Sequence, residues 1–263
     1  MMDSPLPALL DGSEGLTRRR SSILVEEIAS TIMEGIISGA FPPGAQLQLR
    51  PLADLMETSV MPIREALASL ANIGLVENRP RRGAYVPMIT LDDALSTYAA
   101  RLLIEPELIA LAAATFPKSF AARSAEQALE AQIEALGHGN NLVERSAHRA
   151  FHWAIYTNSN SAWLLQAARG PYNNSERYRV LIPPTEHSGD DHHRMFEACM
   201  AGPDGADEAA NLLRKHLNAS VERIRTRLAR HDAKSSESKH VYGEPQESGA
   251  YPHSHTTLYR PGE

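Results

Sequence analysis

From residue 90 to about residue 230, alanines and leucines recur at spacings of three and four. That period belongs to long helices that bury one face against each other. The chain ahead of it, residues 22–88, is cut by Gly and Pro into short elements. The boundary falls near Pro87-Met88-Ile89-Thr90, where Thr90 can cap the next helix with Asp93 three residues on. The expectation is a mainly α protein in four parts. Residues 1–20 form a flexible arm ending in Arg18-Arg19-Arg20, and residues 21–88 form a small domain. Residues 89–230 form an antiparallel bundle of six or seven helices, and 231–263 form a disordered tail too poor in aliphatic residues to offset chain entropy.

The first block can be read residue by residue. Val25, Ile28, Ile32 and Ile36 define an amphipathic helix over 22–38, ended by Gly39. Phe41-Pro42-Pro43-Gly44 makes a rigid turn, and Leu47 and Leu49 alternate as a very short strand. A second helix starts at Pro51. A third opens at the N-cap Ser59, with Pro62 in its first turn and Ile63, Ala66, Leu67 and Leu70 as its apolar stripe; Gly74 closes it. Leu75-Val76-Glu77 and Ala84-Tyr85-Val86 then bracket a hairpin whose tip carries Arg79, Arg81 and Arg82. Three short helices and a basic hairpin are the layout of a winged helix-turn-helix, whose third helix enters the major groove. Arg64, one turn into that helix, can reach a phosphate or a guanine edge.

Bulk properties set limits. The net charge of -6 is mildly against DNA binding, so the local clustering of Arg has to carry that reading. A single cysteine, Cys199, rules out a disulfide framework and fits a reducing compartment. No run of about 18 apolar residues and no secretion signal are present, which gives a cytoplasmic expectation with no membrane partner.

In the bundle, spans of 91–115, 118–137, 141–158, 161–182, 188–201 and 205–230 are expected, with a kink or break at Pro106. His148 and His152 share one helical face in HRAFHWAI, His192 and His193 open a later helix, and His216 lies among Leu212, Leu213 and Leu217. Imidazole suits zinc, nickel, copper or iron, and two ligands from one helix plus one from each of two others builds a metal site in a bundle. Taken alone, the same spacing more often describes a surface or core histidine pair than a ligand set.

The residues now reach a resemblance. The stretch GAFPPGAQLQLRPLADLMETSVMPIREALASLANIGLVENRPRRGAYV resembles the DNA-binding domain of the GntR family of bacterial regulators, through its PG turn, its S-x-x-P-I-R-E-A-L, its GLV and its RRGxxV wing. The resemblance places DNA contacts on Arg50, Ser59, Arg64, Arg82 and Gly83, with Arg81 beside them. Where the family has Arg and Thr after the cap serine, this chain has Val60 and Met61, which can touch a thymine methyl instead.

RLLIEPELIALAAA, HRAFHWAIYTNSNSAWL, HHRMFEACMAG and LLRKHL are in turn similar to the FCD ligand-binding domain of the FadR subfamily. That resemblance implies a divalent metal, zinc or nickel, held by His148, His152, His192 and His216. His192 is preferred to His193 because Glu197 and Ala198 follow it by five and six residues. The family has Asp where His148 stands. Four neutral imidazoles leave the full charge on the ion, which then attracts an anion more strongly; alternatively His148 swings away and leaves three ligands. Arg101 and Glu105 match the family's R-x-x-x-E, either as an effector contact or as a structural ion pair. Asn160 reads as a helix cap, Trp153, Tyr156 and Trp163 as core, and Cys199 as inert core.

The expected function is a homodimeric DNA-binding transcriptional regulator, a repressor in the family's usual mode and not an enzyme. Its affinity for operator DNA would be switched by a small carboxylate effector at the metal. A sensor of the ion itself, a helical-bundle metalloenzyme and a plain interaction module are the rivals; no H-E-x-x-H is present and no pair of Glu-x-x-His motifs supports a di-iron site, which weighs against the enzyme.

Overall fold

A computed structural model describes residues 12–139, 141–179, 181–182 and 188–238, with side chains described between 22 and 230, residue 188 excepted. Two apolar cores organise it. The first gathers Ile28, Ile32 and Ile36 of α1 (Gly12–Ser38), Leu52 of α2 (Leu49–Leu55) and Ile63, Leu67 and Leu70 of α3 (Val60–Asn72). Each such side chain, fully buried, contributes roughly 1.5–3 kcal/mol. A three-stranded antiparallel sheet flanks this core, ordered β1 (Gln46–Leu47), β3 (Gly83–Tyr85), β2 (Glu77–Arg79). Its register pairs Leu47 and Asn78 with Ala84. The architecture is a winged helix-turn-helix.

The second core belongs to six helices: α4 (Leu91–Ala113), α5 (Phe120–Gly137), α6 (Asn141–Thr157), α7 (Ala162–Arg179), α8 (Ser188–Met200) and α9 (Ala206–Ser238). Thr90 caps α4 as expected, its hydroxyl accepting from the Asp93 amide at 3.2 Å. The expected break at Pro106 does not occur. The helix runs through it, and burial of Pro106, Leu108, Ile109 and Ala112 on one side offsets the lost backbone bond.

Several boundaries differ from the sequence reading. Residues 12–20, expected as part of a flexible arm, extend α1 toward the N-terminus. Beyond Gly15 the segment holds neither Gly nor Pro, its arginines are good helix formers, and adding turns to an existing helix is far easier than nucleating one. Residues 1–11 lie outside the described residues. At the other end α9 continues to Ser238, into the stretch expected as tail; 239–263 lie outside the described residues.

The wing strand starts at Glu77 rather than Leu75. Leu75 and Val76 are consecutively buried, at 0% and 3% exposure, so they plug the core and do not alternate. Arg79 therefore lies within β2, opposite Gly83, and leaves the tip to Arg81 and Arg82. Trp163, expected in the core, is 82% exposed, because the buried face of α7 begins at Ala168. Asn160 is not the cap of α7: it stands two residues ahead of the helix with φ of +53°, and the Ser159 hydroxyl accepts from the Ser161 amide instead.

Candidate DNA-reading face and metal centre

The third helix presents an exposed edge. Ser59 occupies the N-cap position with extended backbone, but its side chain makes no capping hydrogen bond. Ser59 is exposed, and a helix N-terminus such as this one favours a phosphate. Met61 is 59% exposed and Arg64 is exposed one turn on, while Val60 is half-buried against the domain core. Of the two residues at the positions after the cap serine, Met61 is therefore the more exposed.

Arg50 on α2 and the wing residues Arg81, Arg82 and Gly83 are also exposed. Arg81 and Gly83 both have positive φ, 61° and 93°, which turns the tip sharply. The Gln46 amide donates to the Arg82 carbonyl at 2.8 Å and fixes the wing against β1. Arg79 is occupied, bonded to Glu77 at 3.0 Å and stacked 4.3 Å over the Tyr85 ring.

The four histidines singled out in sequence converge. One ligand atom from each of His148, His152, His192 and His216 can be chosen so that all lie within 4.8 Å of one another, and all four residues are buried. Helix α6 supplies two of them four residues apart, α8 and α9 one each. His152 Nε2 and His192 Nε2 stand 3.2 Å apart. His148 does not swing away; its ring centroid is 4.6 Å from that of His152 and 4.7 Å from that of His192. His193 points elsewhere, exposed and 3.4 Å from Glu197.

Burial dominates the protonation of this cluster. It pushes His148 and His152 well below the usual imidazole range and lowers His216, and the Arg179 guanidinium acts in the same direction on all three. Neutral imidazoles are the form that ligates a metal. The donor set fits a divalent ion: neither ring nitrogen of His148 has a protein hydrogen-bond partner, although the residue is 2% exposed. Outer groups orient the other rings. The Asp191 carboxylate lies 3.9 Å from His216 Nδ1, and the Tyr156 hydroxyl 3.4 Å from His152 Nδ1.

Around the histidines lies a polar shell that the sequence reading identified only at Arg101 and Glu105. Arg101 Nε and Nη2 grip Glu105 at 2.7 and 2.9 Å, and Nη1 donates to Ser175 at 2.8 Å. Burial opposes the Arg101 charge, yet the Glu105 carboxylate more than offsets burial and holds the Arg101 guanidinium well above its usual pKa. Tyr156 donates to Glu105 at 2.8 Å. Arg179 grips Glu144 at 3.0 and 3.1 Å, and Gln132 donates to the same carboxylate at 2.8 Å. Glu144 was legible: it precedes His148 by four residues and extends the same helical stripe. Arg179, Gln132 and Glu176 carry no such signal.

Comparison with known proteins decides the family. The profile described as bacterial regulatory proteins, gntR family, matches residues 24–86, and the FCD domain profile matches 96–219. The chain belongs to the GntR family. This GntR regulator is 27% identical over 212 residues to the HTH-type transcriptional regulator BphR of Paraburkholderia xenovorans (strain LB400), covering 77% of this chain and 85% of that one. It is 28% identical over 204 residues to the HTH-type transcriptional repressor GlaR of Escherichia coli (strain K12), covering 74% and 92%. Its fold is shared with E. coli McbR/YncC (TM-score 0.69, 20% identity, 78% of this chain and 98% of that one). It is shared also with a GntR transcriptional regulator from Rhodococcus sp. RHA1 (TM-score 0.63, 22% identity, 76% and 96%). The families and the named relatives are transcription regulators and not enzymes. No helix among the described residues is long and apolar enough to cross a membrane.

Proposed function

We propose that this GntR regulator is a homodimeric repressor whose grip on operator DNA is set by a small carboxylate bound at a divalent metal in the FCD domain. The observation that carries the reading is the convergence of four buried histidines inside a domain whose other half is a DNA reader. In this division, residues 21–88 read DNA and 89–230 sense the ligand. Arg64, Ser59 and Met61 face the major groove, and Arg50, Arg81, Arg82 and Gly83 meet the backbone or minor groove. His148, His152, His192 and His216 would hold the ion, zinc or nickel by donor chemistry.

When bound, that ion supplies a Lewis-acid seat for a carboxylate oxygen. The chain's own residues supply the rest. Imidazole ligands carry no negative charge and would leave the positive charge of the ion undiminished. Arg179 adds positive potential on the same side. The repressor direction is supported by the description of GlaR, a relative covered over 92% of its length.

One feature favours a second reading, in which the ion itself is the effector. Four imidazole donors would be enough to fill the four positions that zinc takes at a structural site, which would leave no place for a carboxylate. Both readings are tested by fluorescence anisotropy on genomic operator fragments, with the protein stripped of metal, loaded with zinc, and loaded with zinc plus a panel of carboxylates. The first reading expects the zinc-loaded protein to bind and a carboxylate to release it. A switch produced by zinc alone and unaffected by any carboxylate transfers the role to the ion. His152→Ala should lose metal, measured by elemental analysis, and lose the response while still binding the fragment.

A further inference from the structure

The inference concerns Glu176 and rests on the effector reading above. Its carboxylate is 1% exposed, on the inner face of α7 that also carries Tyr172, Ser175 and Arg179. Neither of its oxygens has a protein hydrogen-bond partner, and neither does the buried Tyr172 hydroxyl one turn away. Three arginines surround it electrostatically, Arg179, Arg101 and Arg149. Each is already bonded to a different carboxylate: Arg179 to Glu144, Arg101 to Glu105, Arg149 to Glu34. Arg179 comes no nearer to Glu176 than 4.0 Å. Three guanidiniums therefore face four carboxylates, and Glu176 is the one left over.

A buried carboxylate with no hydrogen bond and only a 4.0 Å ion pair is costly, and a ligand that supplies the missing donor would remove that cost. The same shell borders the histidines, since Arg101 lies 4.8 Å over the Tyr172 ring, whose centroid is 6.2 Å from that of His152. We infer that Glu176 receives a cationic ammonium group, so that the effector is an amino carboxylate whose acid end sits at the histidine cluster and whose amine end sits on Glu176. A simple fatty or aromatic acid would satisfy one end and leave the other buried and unpaired, which costs affinity.

The test is calorimetric titration of the zinc-loaded full-length protein. The probes are the ω-amino acids from β-alanine to 6-aminohexanoate, each set against the same acid without its amine. α-Amino acids are avoided because their own nitrogen can chelate zinc. At least one amino member is expected to bind about ten-fold or more tightly than its amine-free partner, which is ~1.4 kcal/mol. Glu176→Gln should erase that preference while holding the amine-free affinity within about two-fold. The variant's thermal unfolding checks that it folds. If acids bind equally with and without the amine, or the preference survives in Glu176→Gln, the inference falls and carboxylate binding stands. If no carboxylate of either kind binds, the inference and the effector reading fall together.

Discussion

Three residues give sharp expectations. Arg64 is exposed one turn into α3 and forms no ion pair among the described residues, which would leave its charge available to DNA. Arg64→Ala should lower operator affinity by about 1–3 kcal/mol, if it reads a guanine, and reduce the salt slope of binding by about one. An unchanged slope in an anisotropy titration across salt concentrations would remove Arg64 from the interface.

Cys199 lies fully buried in the bundle core, and burial pushes its thiol up to about 12. It should resist a thiol reagent at pH 8 in the native protein and react on addition of denaturant, followed by mass spectrometry. Glu176 is held above the ordinary carboxylate range by burial. A carboxyl whose folded pKa is raised binds its proton more tightly when folded. The wild type therefore loses stability as pH rises through that folded value. Glu176→Gln should be at least as stable as wild type at pH 7, and the gap should close as pH falls toward 4.5, as read by urea melts.

At the scale of elements, α6 and α7 hold both the sensing and the reading half. Arg149 of α6 pairs with Glu34 of α1. Arg177 of α7 donates to the carbonyls of Pro87 and Met88, at 2.6 and 3.1 Å, in the segment that joins the two domains. His148 and His152 ride on α6 and Glu176 and Arg179 on α7, so under the proposed function a shift of either helix would reach the reader through these contacts. Arg177→Ala should leave effector affinity within about three-fold but weaken its effect on DNA; equal coupling in the variant would place the route elsewhere.

Most of these helices were legible, since α4 through α9 follow the three-and-four spacing and the caps at Thr90 and Gly74 act locally. Helix ends were less so. Whether residues 12–20 continue α1 depends on propagation, not on an amphipathic stripe, and whether Leu75 belongs to a strand depends on which face the core takes.

Across the whole molecule, what sequence revealed about the site was its four clustered histidines, because two sit at i, i+4 and the resemblance supplied the others. The rest of the polar shell was hidden. Gln132, Arg179 and Glu176 come from two helices and follow no stripe, and only folding brings them together with Glu144 and sets one more carboxylate beside these arginines. The operator reading also depends on assembly. Two reading heads should cover a nearly palindromic site with half-sites about ten base pairs apart, and separating those half-sites by about five further base pairs should abolish high-affinity binding.

The chain's two tryptophans stand in opposite surroundings. Trp163 is 82% exposed at the start of α7, whereas Trp153 is half-buried beside His152, its ring 5.3 Å from that of Tyr172. Iodide should quench the emission of the first and spare the second. With Trp163→Phe the protein becomes a single-emitter optical probe of its own sensing chamber, so that ligand entry can be watched by fluorescence without any attached dye.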